Sequence, residues 1–93
     1  MSSATATTEV DIWGRAIRPE VGDLSAAAAQ ELLRLHLSDA DTARVRELSA
    51  RANDGALTGD EAEELDHYLN VGRALEFLKA KARLSLRERS ASS

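Results

Sequence analysis

Apolar residues recur at helical spacing over most of the chain, in blocks set apart by helix-start and turn signals. The first block follows Ser25, which can cap a helix running through AAAAQELLRLH to about His36. Leu32, Leu33 and Leu35 mark its buried side. A second block starts at Ser38. Asp39 and Asp41 fall in its first turn, where the helix dipole favours negative charge. In DADTARVRELSARAN, Val45, Leu48 and Ala52 form the apolar stripe, and Gly55 supplies a left-handed stop. The third block opens with Thr58-Gly-Asp-Glu61, a capping box in which the Thr58 hydroxyl and the Glu61 carboxylate each accept from the other residue's backbone N–H. No proline occurs after Thr58, so the pattern predicts one long helix that runs to about Arg89, ahead of a frayed SASS tail.

That helix is apolar on more than one side. On a wheel of about 100° per residue, Val71, Leu75, Leu78, Ala82 and Leu86 fall along one side. Phe77, Ala80 and Leu84 fall nearly opposite, with Leu69 close to them. A surface helix normally shows a single stripe. The two short helices can cover one side, and the other needs another chain or the N-terminal arm folded back. Another chain is the expected cover. Gly72 costs roughly 1 kcal/mol relative to alanine inside a helix, and close packing by another helix is the expected reason for it.

Ahead of Ser25 the pattern weakens. Met1 to Thr8 has no periodicity and reads as disordered. EVDIWGRAIRPEVGD carries Ile12, Trp13 and Ile17, but Gly14 and the Arg18-Pro19 pair discourage a continuous helix. Trp13 either packs on this chain's own helices or anchors the arm on a partner. The expected organisation is a flexible arm over 1–20, a helical domain over 21–89 and a disordered tail over 90–93.

Composition agrees with an all-α helical hairpin with a long C-terminal helix and disordered termini. The 93 residues suffice for one small domain, alanine and leucine dominate the apolar set, and Trp, Tyr and Phe occur once each. A core this small usually needs a staple, a metal or an oligomer, and the absence of cysteine excludes a disulfide. The net charge of -4 argues against a general nucleic-acid binder. The first twenty residues lack the basic start and apolar block of a secretory signal, and no apolar run approaches a membrane span. The expected location is cytoplasmic.

Catalytic signals are weak. No nucleophile elbow, phosphate-binding loop or dinucleotide loop occurs, so an enzyme is not expected. Glu64-Leu-Asp-His67 has the E-x-x-H spacing of di-iron bundles, but on the wheel both residues point away from Leu65 and Leu69, and a solvated face explains them better. His36 stands alone near a helix end, and neither histidine has a cysteine partner for zinc. No metal or other cofactor is expected. A helix-turn-helix reading fails because Asp60, Glu61, Glu63 and Glu64 would face the phosphates. The basic end, KAKARLSLRER, suits an acidic protein surface or a nucleic acid, with dipole complementarity as the plainer explanation.

One stretch carries a resemblance. L-S-x-x-D, R-x-x-E-L, G-x-L-T-x-x-E-x-x-E-L, then Y, V-G and K-A-R-x-x-L are matched by Leu37, Ser38, Asp41, Arg44, Glu47, Leu48, Gly55, Leu57, Thr58, Glu61, Glu64, Leu65, Tyr68, Val71, Gly72, Lys81, Ala82, Arg83 and Leu86. The chain from about Ile12 to Arg87 thereby resembles a group of small, largely uncharacterised bacterial helical proteins, often encoded beside HNH-type nucleases. The resemblance implies an antitoxin or companion subunit of a nuclease and carries over no catalytic residue.

The expected function is a non-catalytic protein–protein interaction module. Trp13, Ile17, Phe77, Lys81, Arg83 and Leu84 are the candidate contacts, with Lys81 and Arg83 facing an acidic surface such as a nuclease's metal-binding carboxylates. Two alternatives remain: a homo-oligomeric helical module, and a small nucleic-acid-associated protein using the basic helix end.

Overall fold

The computed structural model describes residues 6–92. Among them the chain forms four helices and no strand: α1 (Glu9–Ile17), α2 (Ala26–Leu32), α3 (Asp39–Asn53) and α4 (Gly59–Ser92). The all-α class and the long C-terminal helix agree with the sequence pattern. The expected disorder of the first residues lies outside the described residues up to position 5.

The N-terminal arm is more structured than its sequence suggested. Thr8 and Asp11 form a capping box, with Asp11 N donating to Thr8 Oγ1 at 3.1 Å and Thr8 N to Asp11 Oδ2 at 3.0 Å. This cap starts α1, and Gly14 lies inside it. Proline does act as expected, one step later: α1 stops at Arg18, which takes a left-handed conformation (φ 57°) just before Pro19. The flexible arm expected over 1–20 is therefore, from residue 9, a helix and a turn. At the other end α4 runs to Ser92.

Ser25 caps α2 through the Ala28 N–H, but α2 ends at Leu32 rather than His36. Bonds from Arg34 N to Glu31 O and from Leu35 N to Leu32 O tighten its last turn. Ser38 caps α3 and Gly55 takes the left-handed stop at φ 68°, both as the pattern predicted. Thr58 and Glu61 close the expected box at the start of α4.

α4 is the spine. Each of the three shorter helices packs on α4, and none of them packs on another. Among the described residues the buried hydrophobic ones are Ala29, Leu48, Ala74 and Ala82. Small residues let helices approach closely but bury little apolar surface. The molecule is accordingly flat and open, with extents of 53 × 44 × 16 Å. Its radius of gyration is 16.8 Å, against about 12 Å for a compact domain of this length.

Polar contacts do much of the remaining fastening. In the α3–α4 hairpin, Arg44 grips Glu64 with Nε to Oε2 at 2.8 Å and Nη2 to Oε1 at 2.9 Å. Arg44 also bonds Glu47, and Arg51 bonds Glu61. Tyr68 Oη donates to Asp41 Oδ1 at 2.7 Å, tying the start of α3 to α4. Glu64 is therefore not on a solvated face as its wheel position implied, because Arg44 reaches across from α3 to pair with it.

A second fastening holds the segment between α1 and α2. Lys81, Ser85 and Arg89 recur every four residues and share one face of α4. Lys81 Nζ bonds the carbonyls of Arg18 (3.3 Å) and Val21 (2.9 Å) and pairs with Asp23 (2.8 Å). Ser85 Oγ accepts from Leu24 N at 3.1 Å and donates to Lys81 O at 2.8 Å. Arg89 Nε donates to Leu24 O at 2.9 Å. Residues 18–24 thus form a strap read through its backbone.

Candidate functional site

The six contact residues expected from sequence do not form one surface. Phe77 is half-buried, with α1 against one side of its ring, where a Cβ on Gly14 would sit 3.6 Å away, and with another side lining a groove along α4. Leu84 is half-buried, and its backbone lies against Gly22 of the strap. Lys81 is buried and satisfied within the chain. The side of α4 that seemed to need another chain is closed here by the N-terminal segment folding back, and Lys81 belongs to that closure rather than to an outer surface. Ile17 is half-buried at the end of α1. Only Trp13, 41 % exposed with its indole N–H 3.3 Å from Glu9 Oε2, and Arg83, loosely paired with Glu76 at 3.8 Å, remain outside.

The open surface lies elsewhere. A groove of about 790 Å³ runs between α4 and the segment linking α2 to α3. His36 and Leu37 of the linker, Thr42 and Val45 of α3, and Tyr68, Leu69, Gly72, Arg73, Leu75, Glu76, Phe77 and Lys79 of α4 line it, so Phe77 is the one expected contact residue that reaches it. Leu69 is 50 % exposed there. Gly72 has no atom within 4 Å of where its Cβ would stand, so nothing in this chain requires a glycine at that position. The expected close packing against Gly72 is not made within the chain. Sequence reading singled out Gly72, put Leu75 on a side that the short helices can cover, and put Leu69 close to the side that needs another chain.

Acid–base chemistry is confined to the fastenings. The hydrogen bonds from Tyr68 and then Ser38 hold the Asp41 carboxyl below its ordinary value, and the same bond holds the Tyr68 phenol above its own. The Arg44 guanidinium lowers Glu64, and Lys81 lowers Asp23. Each group is satisfied by a neighbour in the fold, and none is aimed into the groove as an unpartnered acid or base. His36 Nδ1 lies 2.7 Å from Leu37 O, and His67 is exposed. Among the described residues no group of three His, Cys, Asp or Glu side chains gathers where a metal could sit. No described helix is long and apolar enough to cross a membrane. The arrangement offers an apolar trough with a few polar groups at its rim, suited to receiving a side of another helix.

No protein-family model, no curated protein and no solved structure matches the chain.

Proposed function

We propose that the chain is a non-catalytic interaction module that receives a partner helix in the groove at Gly72. The observation that carries this reading is a mid-helix glycine facing open space beside a half-exposed leucine, Leu69. Glycine there weakens α4 and no intrachain contact calls for it, whereas a helix seated in the groove would use the missing Cβ to approach the α4 backbone. The open shape and the thin core support the same reading, because apolar surface left uncovered by the fold is available for association.

A nuclease as the partner rests on the motif resemblance. The particular mechanism in which Lys81 and Arg83 together cover acidic nuclease residues loses Lys81, which is engaged with Asp23 and the strap carbonyls. Lys79 and Arg73 are the cations that line the groove, and Arg83 is exposed and loosely paired with Glu76.

The test is the native mass of the tagged chain recovered from its own cells, beside that of Gly72→Leu. A stoichiometric complex, held by another chain or a second copy and lost in Gly72→Leu at unchanged helicity, is the expected result. A wild-type monomer with no bound chain overturns the proposal.

A further inference from the structure

The Phe77 ring is a wall shared by two openings. One is the groove along α4. The other is a cleft of about 420 Å³ beside α1, bounded by Val10, Gly14 and the Pro19–Glu20 turn. α1 lies against this ring through Gly14, yet it is lightly held. None of its nine residues is buried. Val10, Gly14 and Ile17 form its half-buried side, while Ile12 and Trp13 are 54 % and 41 % exposed on the other. The hydrogen bond from Asn70 Nδ2 to Glu9 Oε1, which joins α1 to α4, is exposed and 3.3 Å long. The strap that follows is held instead by the buried side chains of Lys81 and Ser85. A segment with few buried apolar contacts opens at a lower free energy than the parts around it.

The junction between α1 and the strap is strained. Arg18 holds a left-handed conformation, φ 57°, directly before Pro19, where proline pushes the preceding residue toward extended backbone. Rotation about φ of Arg18 relieves the strain and swings α1. It leaves the Arg18 carbonyl on Lys81, because that carbonyl lies beyond the rotating bond. Resting on the interaction-module reading for its role, we propose that α1 is a lid on the groove, hinged at Arg18, which lifts from Phe77 while the strap stays bound. Closed, α1 ends the groove at Phe77. Open, it joins the groove to the cleft and bares the far side of the Phe77 ring. A helix seated there and α1 then compete for the same ring, so the lid is an autoinhibitory contact carried in the chain.

A nine-residue helix does not persist alone, so each opening lets the α1 amides exchange with solvent. Hydrogen exchange of the folded chain, followed residue by residue, is measured for wild type, Gly14→Ala and Ile17→Asp. The fluorescence of added anilinonaphthalene sulfonate, an anionic dye for apolar surface, is read beside it. Expected in wild type is faster exchange across α1 than at Leu24, whose amide Ser85 holds, or at the buried Leu48. Gly14→Ala, which adds a methyl against Phe77 and removes a helix glycine, should slow exchange in α1 alone by up to about five-fold. Ile17→Asp should speed it and raise the dye fluorescence several-fold, with the Leu24 and Leu48 amides protected as before. Wild-type α1 amides as protected as that of Leu48 overturn the lid. So does Leu24 exchange that rises with that of α1 in Ile17→Asp, because α1 and the strap would then open as one piece. Unchanged dye fluorescence in Ile17→Asp overturns it too, because Phe77 would not be bared. None of these readings uses a partner, so the lid fails separately from the interaction module, which the native mass tests.

Discussion

The Lys81 ammonium lies 2.8 Å from Oδ1 of Asp23 and is otherwise held by the backbone carbonyls of Val21 and Arg18. A cation near the end of α4 is thereby spent on residues that precede α2. This pairing makes the N-terminal segment part of the fold, and it removes from the outer surface a residue whose sequence context, KAKAR, reads as a basic patch.

Replacing Lys81 with methionine keeps most of the stem and removes the donor. The Val21 and Arg18 carbonyls then lose a buried partner, which costs about 1–3 kcal/mol when nothing replaces it. A urea titration should show that loss as a lower midpoint. Proteolysis should also cut within residues 18–24 before it cuts α4. Unchanged protection of the strap would show that Ser85 and Arg89 suffice to hold it.

Two glycines separate space from conformation. A Cβ on Gly22 would stand 2.9 Å from Ser85 N and 3.0 Å from the Leu84 carbonyl carbon, both backbone atoms that cannot swing aside. Gly22→Ala should destabilise by about 1–3 kcal/mol through overpacking. A Cβ on Gly14 would rest 3.6 Å from the Phe77 ring, an ordinary contact, and α1 would gain helix propensity. Gly14→Ala should be neutral or stabilise by up to about 1 kcal/mol. Paired thermal melts check both, and a reversal of the two signs would mean that the strap and α1 sit differently on α4.

The hairpin was legible in the sequence because its signals are local. Ser38, Gly55 and the Thr58–Glu61 box each act within a few residues, and all three take their expected roles. The strap was not legible, because its partners on α4 bond to backbone atoms far away in the chain and backbone acceptors leave no mark in a sequence. The four-residue spacing of Lys81, Ser85 and Arg89 was the available signal: a serine on a buried helix face needs a partner. α1 was missed for the opposite reason, since a local penalty at Gly14 is outweighed by the Thr8–Asp11 cap and by packing on α4. The groove lay in view at Gly72, but a helical wheel shows which side of a helix is apolar and not which side the rest of the chain covers.

Tyr68→Phe tests how α3 is fastened. The substitution keeps the ring and removes the 2.7 Å bond to Asp41. Backbone amides at the start of α3 should then exchange several-fold faster, with the Thr58–Glu61 cap protected as before. The Asp41 carboxyl, which the Tyr68 hydrogen bond lowers first and Ser38 second, should move back toward its ordinary value. An NMR titration of Asp41 in the two proteins reads the shift directly.

Acid should loosen the fastenings together. Asp23, Asp41, Glu61 and Glu64 are all held below their ordinary values of 3.8 for aspartate and 4.5 for glutamate, by Lys81, by Tyr68, by the Thr58 backbone and by Arg44 respectively. A carboxyl lowered in the folded state stabilises fully at pH above its unfolded value, and that contribution is lost as pH falls through the folded value. Stability should therefore be flat from neutral pH down to about pH 5 and decline through the range below about 4.5. Tyr68 has the opposite sign. Its phenol is raised above 10.0, so its contribution is complete below pH 10 and disappears as pH rises through the raised value. Because these groups are solvent-accessible, salt should shrink the charge-pair part of the acid limb. Urea midpoints against pH for wild type and Glu64→Gln make the comparison. The variant should start lower at pH 7 and fall less steeply in acid, since it no longer has the Arg44 pair to lose. An acid limb as steep in Glu64→Gln as in wild type would assign the acid sensitivity to the other carboxylates.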